Sequence, residues 1–197
     1  MAAKERALRG VLLSRAPAFS QAVVFCNRRG WGESLARKLT AAGLVAAFTC
    51  GQHPQPRRKA VTEALRELRL RVLVSTDLSA RGLDLQHVNL VVNLDMPQDS
   101  ATFKHRAGRA GRFGTAGLVV TVVTEGELPE LQAVVGGAGA SLHELPASVP
   151  PEWYEYQLEE EEEAALVRLR AAPAEVREEL EEQIEGLAEG GELGHVP

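Results

Sequence analysis

The chain has 197 residues, of which 45% are apolar and 25% charged, so it can bury one core of ordinary size. It contains no run of eighteen apolar residues, and its charged N-terminus lacks the apolar segment of a secretion signal. We therefore expect a soluble, unsecreted protein with no membrane partner. The net charge of -5 averages two regions of opposite sign, because residues 1–147 carry +7 and residues 148–197 carry -12.

This division of charge predicts one domain followed by a tail. Residues 1–147 form the predicted domain. Residues 148–197 form a predicted proline-containing linker and acidic tail, since consecutive prolines interrupt regular structure. A basic domain is typical of a protein that binds a polyanion, while an ordinary charged surface is the alternative that charge alone leaves open.

Alternating apolar runs and helical patterns predict the fold class. Four short apolar runs rich in β-branched residues predict strands covered on both faces: residues 22–26, 70–75, 88–93 and 118–123. Residues 31–42 and 57–68 have the apolar spacing of helices. The alternation predicts an α/β fold, with a parallel sheet, helices on both faces and ligands at the carboxyl ends of the strands.

Two cysteines lie in apolar stretches typical of buried strands. Cys26 ends the first run, and Cys50 lies in a further apolar stretch. We expect reduced thiols at both positions, with neither a disulfide nor a metal site.

Polar residues follow both of these apolar stretches. Asn27 leaves the first predicted strand beside two arginines, and Gly51 precedes a predicted helix start that bears Arg57 and Arg58. Backbone N–H groups at a helix N-terminus attract phosphate, and arginines reinforce that attraction. A surface turn with a helix cap is the alternative for both segments.

Residues 75–84 follow another predicted buried strand and contain several polar groups. Thr76 and Asp77 can hydrogen-bond a sugar-phosphate backbone. Gly82 permits a close backbone approach, and the carboxylate of Asp84 can accept from ribose hydroxyls. For Asp77 taken singly, capping of a helix is the alternative.

Residues 105–112 place three arginines after His105, in the order His-Arg-Ala-Gly-Arg-Ala-Gly-Arg. If residues 100–105 form a helix, the arginines recur every third residue and their side chains converge. A guanidinium keeps its charge and presents a planar fork, which suits the oxygens of a transferring γ-phosphoryl group. A basic patch that binds any polyanion is the alternative.

The acidic tail contains a candidate helix over residues 174–188. Its apolar residues fall on one face: Val176, Leu180, Ile184 and Leu187. A partner-binding helix and a solvated helix are both compatible with this pattern.

Taken in order, these segments resemble the second RecA-like domain of the DEAD-box RNA helicases. Residues 23–27 resemble motif IV, and Gln55 with Arg58 resembles the Gln-x-x-Arg of motif IVa. Residues 75–84 resemble motif V, and residues 105–112 resemble motif VI, His-Arg-x-Gly-Arg-x-Gly-Arg. Four motifs in family order indicate a RecA-like helicase C-terminal domain followed by the acidic, partly helical tail.

Within this family, three stretches are most similar to the Gemin-type DEAD-box helicase of the survival-of-motor-neuron complex: residues 72–78, 88–95 and 108–115. The resemblance implies a cytoplasmic and nuclear protein that takes part in assembly of small nuclear ribonucleoproteins. Its implied partners are RNA, the N-terminal RecA-like domain of the same protein, and proteins of that complex.

The resemblance also implies a role for individual residues. Arg109 and Arg112 are the implied catalytic arginine fingers on ATP, and Gly82 and Asp84 are further ATP contacts. His105 is implied to couple the two RecA-like domains. The implied RNA contacts are Asn27, Gly51, Gln55, Arg58, Thr76, Asp77 and Arg81. Contacts to phosphate and sugar bind RNA without reading its bases.

The sequence contains neither Gly-x-x-x-x-Gly-Lys-Ser/Thr nor Asp-Glu-Ala-Asp. The resemblance implies ATP with Mg²⁺ as cofactor, the metal being held mainly by an N-terminal domain. We therefore expect a half of an ATP-dependent RNA helicase that is inactive alone. A non-catalytic RNA- or protein-binding module and a DNA-directed helicase half are the alternatives.

Overall fold

The computed structural model describes residues 2–15, 17–80, 85–111, 116–154, 160–170, 179, 182–184 and 186. The strands are β1 (Gln21–Phe25), β2 (Ala46–Thr49), β3 (Val72–Ser75), β4 (Val88–Asn93) and β5 (Leu118–Thr121). The helices are α1 (Ala2–Gly10), α2 (Arg29–Ala41), α3 (Gln55–Arg66), α4 (Asp77–Ala80), α5 (Ser100–Ala107), α6 (Leu128–Gly137) and α7 (Glu160–Arg170).

The five strands belong to one sheet, in the order β2-β3-β1-β4-β5. The pairs β2 with β3, β1 with β4, and β4 with β5 are all parallel. Every residue of β1, β3 and β4 is buried, as expected for strands covered on both faces. The predicted α/β class with a parallel sheet is confirmed.

The chain divides into two compact units: unit 1 comprises Met1–Asn27 with Asp84–Gln157, and unit 2 comprises Arg28–Leu83 with Leu158–Pro197. In unit 1, β4 runs beside β1 and β5, and α5 packs against β4 and α6. In unit 2, α2 packs against β2 and β3, and α3 packs against β2. Parallel strands need such helical crossovers, so the alternation in the sequence is a direct consequence of the topology.

A buried asparagine fixes part of unit 1. Asn89 lies in β4 with no exposed surface, and its side-chain oxygen accepts from the backbone N–H of Ser20 at 2.9 Å. Its amide nitrogen donates to the carbonyl of Tyr154, whose own hydroxyl accepts from the N–H of Ala18. Both Val149 and Tyr154 are buried. The packed side chains of unit 1 therefore come from both sides of residue 147, the predicted boundary between the domain and the tail.

The two predicted helices of unit 2 are observed as α2 and α3, each beginning two residues before the predicted start. Gly43 ends α2 with a φ of 93°, a left-handed conformation that glycine adopts without strain. Pro54 caps α3 and Pro56 lies in its first turn, where a missing N–H leaves no helical bond unmade.

Both cysteines, Cys26 and Cys50, are buried and carry free thiols. Across the described ranges, no helix has the length and apolar character needed to cross a membrane.

Candidate functional site

An aspartate sets the start of α5 in unit 1, and with it the position of motif VI. Asp99 is the N-cap, and its carboxylate accepts from the backbone N–H of Thr102 at 2.6 Å. That hydrogen bond holds the pKa of Asp99 below its ordinary value. The helix suggested over residues 100–105 is present and extends to Ala107.

Arg106, the first arginine of motif VI, is a packing residue. It is 1% exposed, and its Nη1 donates to the carbonyl of Asp95 at 2.7 Å and to Oδ1 of Asn93 at 3.2 Å. Its guanidinium carbon lies 4.9 Å from the centre of the Phe25 ring. The side chain therefore ties α5 to the carboxyl ends of β1 and β4, out of reach of a ligand.

Arg109 differs from Arg106 in exposure. It is partly exposed, and its Nε donates to the carbonyl of His105 at 3.3 Å, so its side chain lies along the end of α5. His105 is itself exposed. Arg106 is buried, so the prediction that the side chains of all three arginines converge is wrong for Arg106. For the same reason, Arg106 cannot form part of an exposed basic patch.

The described segment after α5, residues 108–111, ends beside the first residue of β4. Gly111 has a φ of 66°, and its N–H donates to the carbonyl of Val88, the first residue of β4. A Cβ on Gly117 would lie 2.6 Å from the nitrogen of Gly111, so glycine is needed there for the close approach. Gly111 therefore lies at the amino end of β4, and not at the carboxyl ends of the strands, where ligands were expected.

Asn27 lies at the carboxyl end of β1. Its backbone N–H donates to a carboxylate oxygen of Asp95 at 2.6 Å, which joins the chain leaving β1 to the chain leaving β4. The side chain of Asn27 is exposed. Unit 1 thus presents this predicted RNA contact at the sheet edge where ligands were expected.

In unit 2, a cluster of hydroxyl groups joins the ends of β2 and β3. Thr49 pairs with Ser75 in the register of the two strands. Ser79 donates to the carbonyl of Thr49 at 3.0 Å, and its hydroxyl is 2.8 Å from that of Ser75 and 3.0 Å from that of Thr76. These bonds fix the start of α4, whose first residue is Asp77. Thr76 and Asp77 remain partly exposed beside the cluster.

An open cleft of about 220 Å³ lies between this cluster and α3. Its lining residues are Thr49, Gln55, Arg58, Lys59, Thr62 and Ser79. Gln55 and Arg58, both predicted RNA contacts, are within hydrogen-bonding distance of each other at 3.4 Å. Lys59 adds a second positive charge. The hydroxyl oxygen of Thr49 is buried and has no hydrogen-bond partner among the described atoms.

The first turn of α3 gives the cleft its charge. No side chain caps this helix, and its first turn contains no acidic residue. The two cations, Arg58 and Lys59, therefore line a cleft beside a helix start without an acidic side chain, an arrangement that favours phosphate. Sequence reasoning missed Lys59 and Thr62, although the spacing 55, 58, 59, 62 places these residues on one helix face and was available as a signal.

Arg57 lies on another face of α3. It is 9% exposed and its Nη2 is 2.9 Å from a carboxylate oxygen of Glu33. The Nε2 of His53 is 3.4 Å from the same oxygen. Burial, followed by the charge of Arg57, lowers the pKa of His53. Of the two arginines expected to attract phosphate, the structure places Arg58 in the cleft and Arg57 in an ion pair.

Gly51 approaches α4 closely. A Cβ at this position would lie 2.7 Å from a methyl carbon of Leu78, which is itself 67% exposed. Four predicted site residues lie outside the described residues: Arg81, Gly82, Asp84 and Arg112.

Comparisons with known proteins agree with this arrangement. Residues 3–114 match the family model described as the helicase conserved C-terminal domain. The chain is 43% identical over 113 residues to the probable ATP-dependent RNA helicase ddx20 of Dictyostelium discoideum, covering 57% of this chain and 13% of that protein. It is 39% identical over 141 residues to the probable ATP-dependent RNA helicase DDX20 of Mus musculus, covering 71% and 17%.

The ATP-dependent RNA helicase eIF4A of Eremothecium gossypii is 36% identical over 130 residues, with 66% of this chain and 33% of that protein covered. The chain thus spans a third or less of the length of these relatives.

Two solved structures are similar in fold. The E. coli DEAD-box protein SrmB, in its complex with regulator of ribonuclease activity A, matches with a TM-score of 0.60 and 32% identity, covering 69% of this chain and 76% of that chain. The C-terminal domain of the DEAD-box protein Dbp5 matches with a TM-score of 0.62 and 29% identity, covering 69% and 78%. The predicted RecA-like fold is confirmed, and the chain belongs to the helicase conserved C-terminal domain family of the DEAD-box RNA helicases.

Proposed function

We propose that this chain is the second RecA-like half of an ATP-dependent RNA helicase and is inactive without its N-terminal half. The observation that carries the proposal is the cleft of unit 2, where Arg58 and Lys59 face the hydroxyl groups at the ends of β2 and β3. A phosphate group there would gain two cations at a helix N-terminus. Such contacts hold a nucleic-acid backbone without reading its bases.

The remaining RNA contacts are proposed from the same edges of the strands. In unit 2, Gly51, Gln55, Thr76 and Asp77 surround or adjoin the cleft, and Arg81 follows α4 in the sequence. In unit 1, the exposed side chain of Asn27 contacts the RNA backbone. Hydrogen bonds to 2′-hydroxyl groups would then favour RNA over DNA.

The ATP contacts are proposed for Arg109 and for three residues outside the described ranges. Arg109, partly exposed at the end of α5, meets the γ-phosphate together with Arg112, while Asp84 accepts from the ribose and Gly82 allows close approach. His105, exposed on α5, couples this half to the N-terminal half. Mg²⁺ bound with ATP would neutralise phosphate charge, and the N-terminal half would hold it.

We also propose a Gemin-type helicase that is cytoplasmic and nuclear, with proteins of the survival-of-motor-neuron complex as partners. The support is identity of 43% and 39% to two ddx20 proteins, against 36% to eIF4A. Co-precipitation of the helicase containing this domain with that complex, with an eIF4A protein as control, tests the assignment. Equal recovery of both helicases would contradict it.

The RNA cleft is tested by replacing Arg58 with glutamine. Loss of one charge-assisted phosphate contact should weaken binding of single-stranded RNA about tenfold and lower the salt dependence by about one charge. Fluorescence anisotropy of labelled RNA over a salt series measures both quantities. Arg66→Gln is the matched control, because Arg66 is an exposed arginine in the last turn of the same helix.

Equal losses of RNA affinity for Arg58→Gln and Arg66→Gln would refute a specific cleft, since they would show only a general attraction between positive charge and RNA.

ATP hydrolysis is tested by joining this chain to an N-terminal RecA-like half that carries the Walker loop. Arg109→Ala should then lower RNA-stimulated turnover on the order of 10³-fold. Turnover close to that of the unchanged protein would contradict the arginine-finger assignment and favour the binding-module alternative.

A further inference from the structure

A narrow groove in unit 2, lined by apolar and charged side chains, has no lining residue in common with the RNA cleft. One wall is α2, with Ala36 and Arg37, and the other is β2, with Ala46 and Phe48. Gly32 gives the groove its depth, because a Cβ there would lie 2.4 Å from the Phe48 ring, so the ring packs directly against the backbone of α2. Sequence and packing together therefore shape a groove between a helix and a strand.

One residue of the acidic tail, Ile184, lies in this groove. Ile184 lines it and is 4% exposed, whereas the preceding tail residues Glu182 and Gln183 are exposed. The space left within the groove is about 20 Å³, enough for roughly one water molecule. The side chain of Ile184 is thus inserted in the groove while the two preceding side chains stay in solvent, as in an amphipathic segment docked by its apolar face.

Charge also suits this occupant. The region from 148 to 197 carries a net charge of -12, and Arg37 is exposed at the rim of the groove. Arg57 contributes a second guanidinium to the lining, paired with Glu33. An acidic segment with one buried isoleucine therefore matches the groove in both polarity and charge sign.

The position of the groove gives docking a physical role. In the strand order, β2 is the last strand, and its backbone edge is the part of a sheet that another chain can extend. Natural sheets cover such edges with a helix or loop. A tail segment anchored through Ile184 against α2 and β2 would pass close to that edge.

We propose that this groove is the docking site for the chain's own acidic tail, with Ile184 as the anchor, and that docking shields the edge strand β2. The inference concerns residues outside the RNA cleft and does not depend on the proposed helicase function. Burial of one isoleucine shifts the docked population by roughly tenfold to a hundredfold. The tail is therefore held firmly and can still be displaced.

Thiol labelling of the full chain tests the contact directly. Ala36→Cys, which places a thiol in the groove wall, should react with a maleimide about tenfold more slowly when Ile184 is present than in the double variant with Ile184→Asp. The native thiols of Cys26 and Cys50 are buried, and the unchanged chain gives their background. Equal labelling rates with and without Ile184→Asp would overturn the proposal.

Hydrogen exchange tests the shielding. Ile184→Asp should speed amide exchange of residues 44–49 several-fold, while Glu182→Gln leaves it unchanged. Exchange of β4, in unit 1, is the internal reference for global stability. Unchanged exchange over 44–49 would overturn the proposal, and so would an equal rise in β4, because that rise would signal general unfolding rather than release of the tail.

Discussion

Replacing Arg106 with alanine should destabilise the fold strongly, whereas replacing Arg109 should not. Arg106 is 1% exposed and donates to Asn93 and to the carbonyl of Asp95. Each hydrogen bond from a charged group contributes about 1.5–3 kcal/mol, and the stacking on Phe25 adds on the order of 1 kcal/mol. Since alanine also leaves the buried acceptor of Asn93 and the partly buried carbonyl of Asp95 without this donor, we expect a loss of about 3–5 kcal/mol.

Urea unfolding followed by circular dichroism measures this loss. With a slope of about 2 kcal/mol per M, the midpoint of Arg106→Ala should fall by roughly 1.5–2.5 M. Arg109→Ala should stay within about 0.5 kcal/mol of the unchanged chain, because Arg109 is partly exposed. A small effect at Arg106, or an equally large effect at Arg109, would refute the separation of a buried packing arginine from a partly exposed one.

Two further predictions concern packing and pH. Gly32→Ala should cost about 1–3 kcal/mol in urea unfolding, since its Cβ would lie 2.4 Å from the Phe48 ring. Gly30→Ala, in the same helix with no atom within 4 Å, should be neutral or stabilise by up to about 1 kcal/mol, and the reverse order would contradict the packing. The backbone N–H of Thr124 lowers the pKa of Glu127 to about 2. The stabilisation of the fold by ionised Glu127 is therefore complete above the unfolded pKa of 4.5 and is lost as the pH falls toward 2. Glu127→Gln should therefore reduce the loss of unfolding free energy as the pH is lowered. A loss equal to that of the unchanged chain would count against this role of Glu127.

Strands were predictable where the sequence supplies continuous β-branched residues. The runs 22–26, 70–75 and 88–93 correspond to β1, β3 and β4 within two residues at either end. For β2 the signal was weaker, because Ala46, Ala47 and Phe48 are not β-branched, and only the apolar stretch around Cys50 indicated a strand. The helices α1 and α6 were not predicted, since each is short and α6 ends in two glycines, which are typical of a loop.

The candidate site shows a different limit. Residue types at 106 and 109 are identical, yet one arginine is buried and the other partly exposed. The difference depends on acceptors at Asn93 and Asp95, which the sequence cannot place next to α5. Lys59 and Thr62, by contrast, follow from helical spacing once Gln55 is taken as a contact.

The first turn of α3 has a consequence for how this domain can change. The charge of Arg58 opposes the helix dipole, because an acid at that position would stabilise the free helix. An aspartate there would improve folding and would also repel a phosphate in the cleft. Stability thus favours a negative charge in this turn, whereas affinity for a phosphate favours a positive one. Variants chosen for thermostability alone would therefore tend to remove the site.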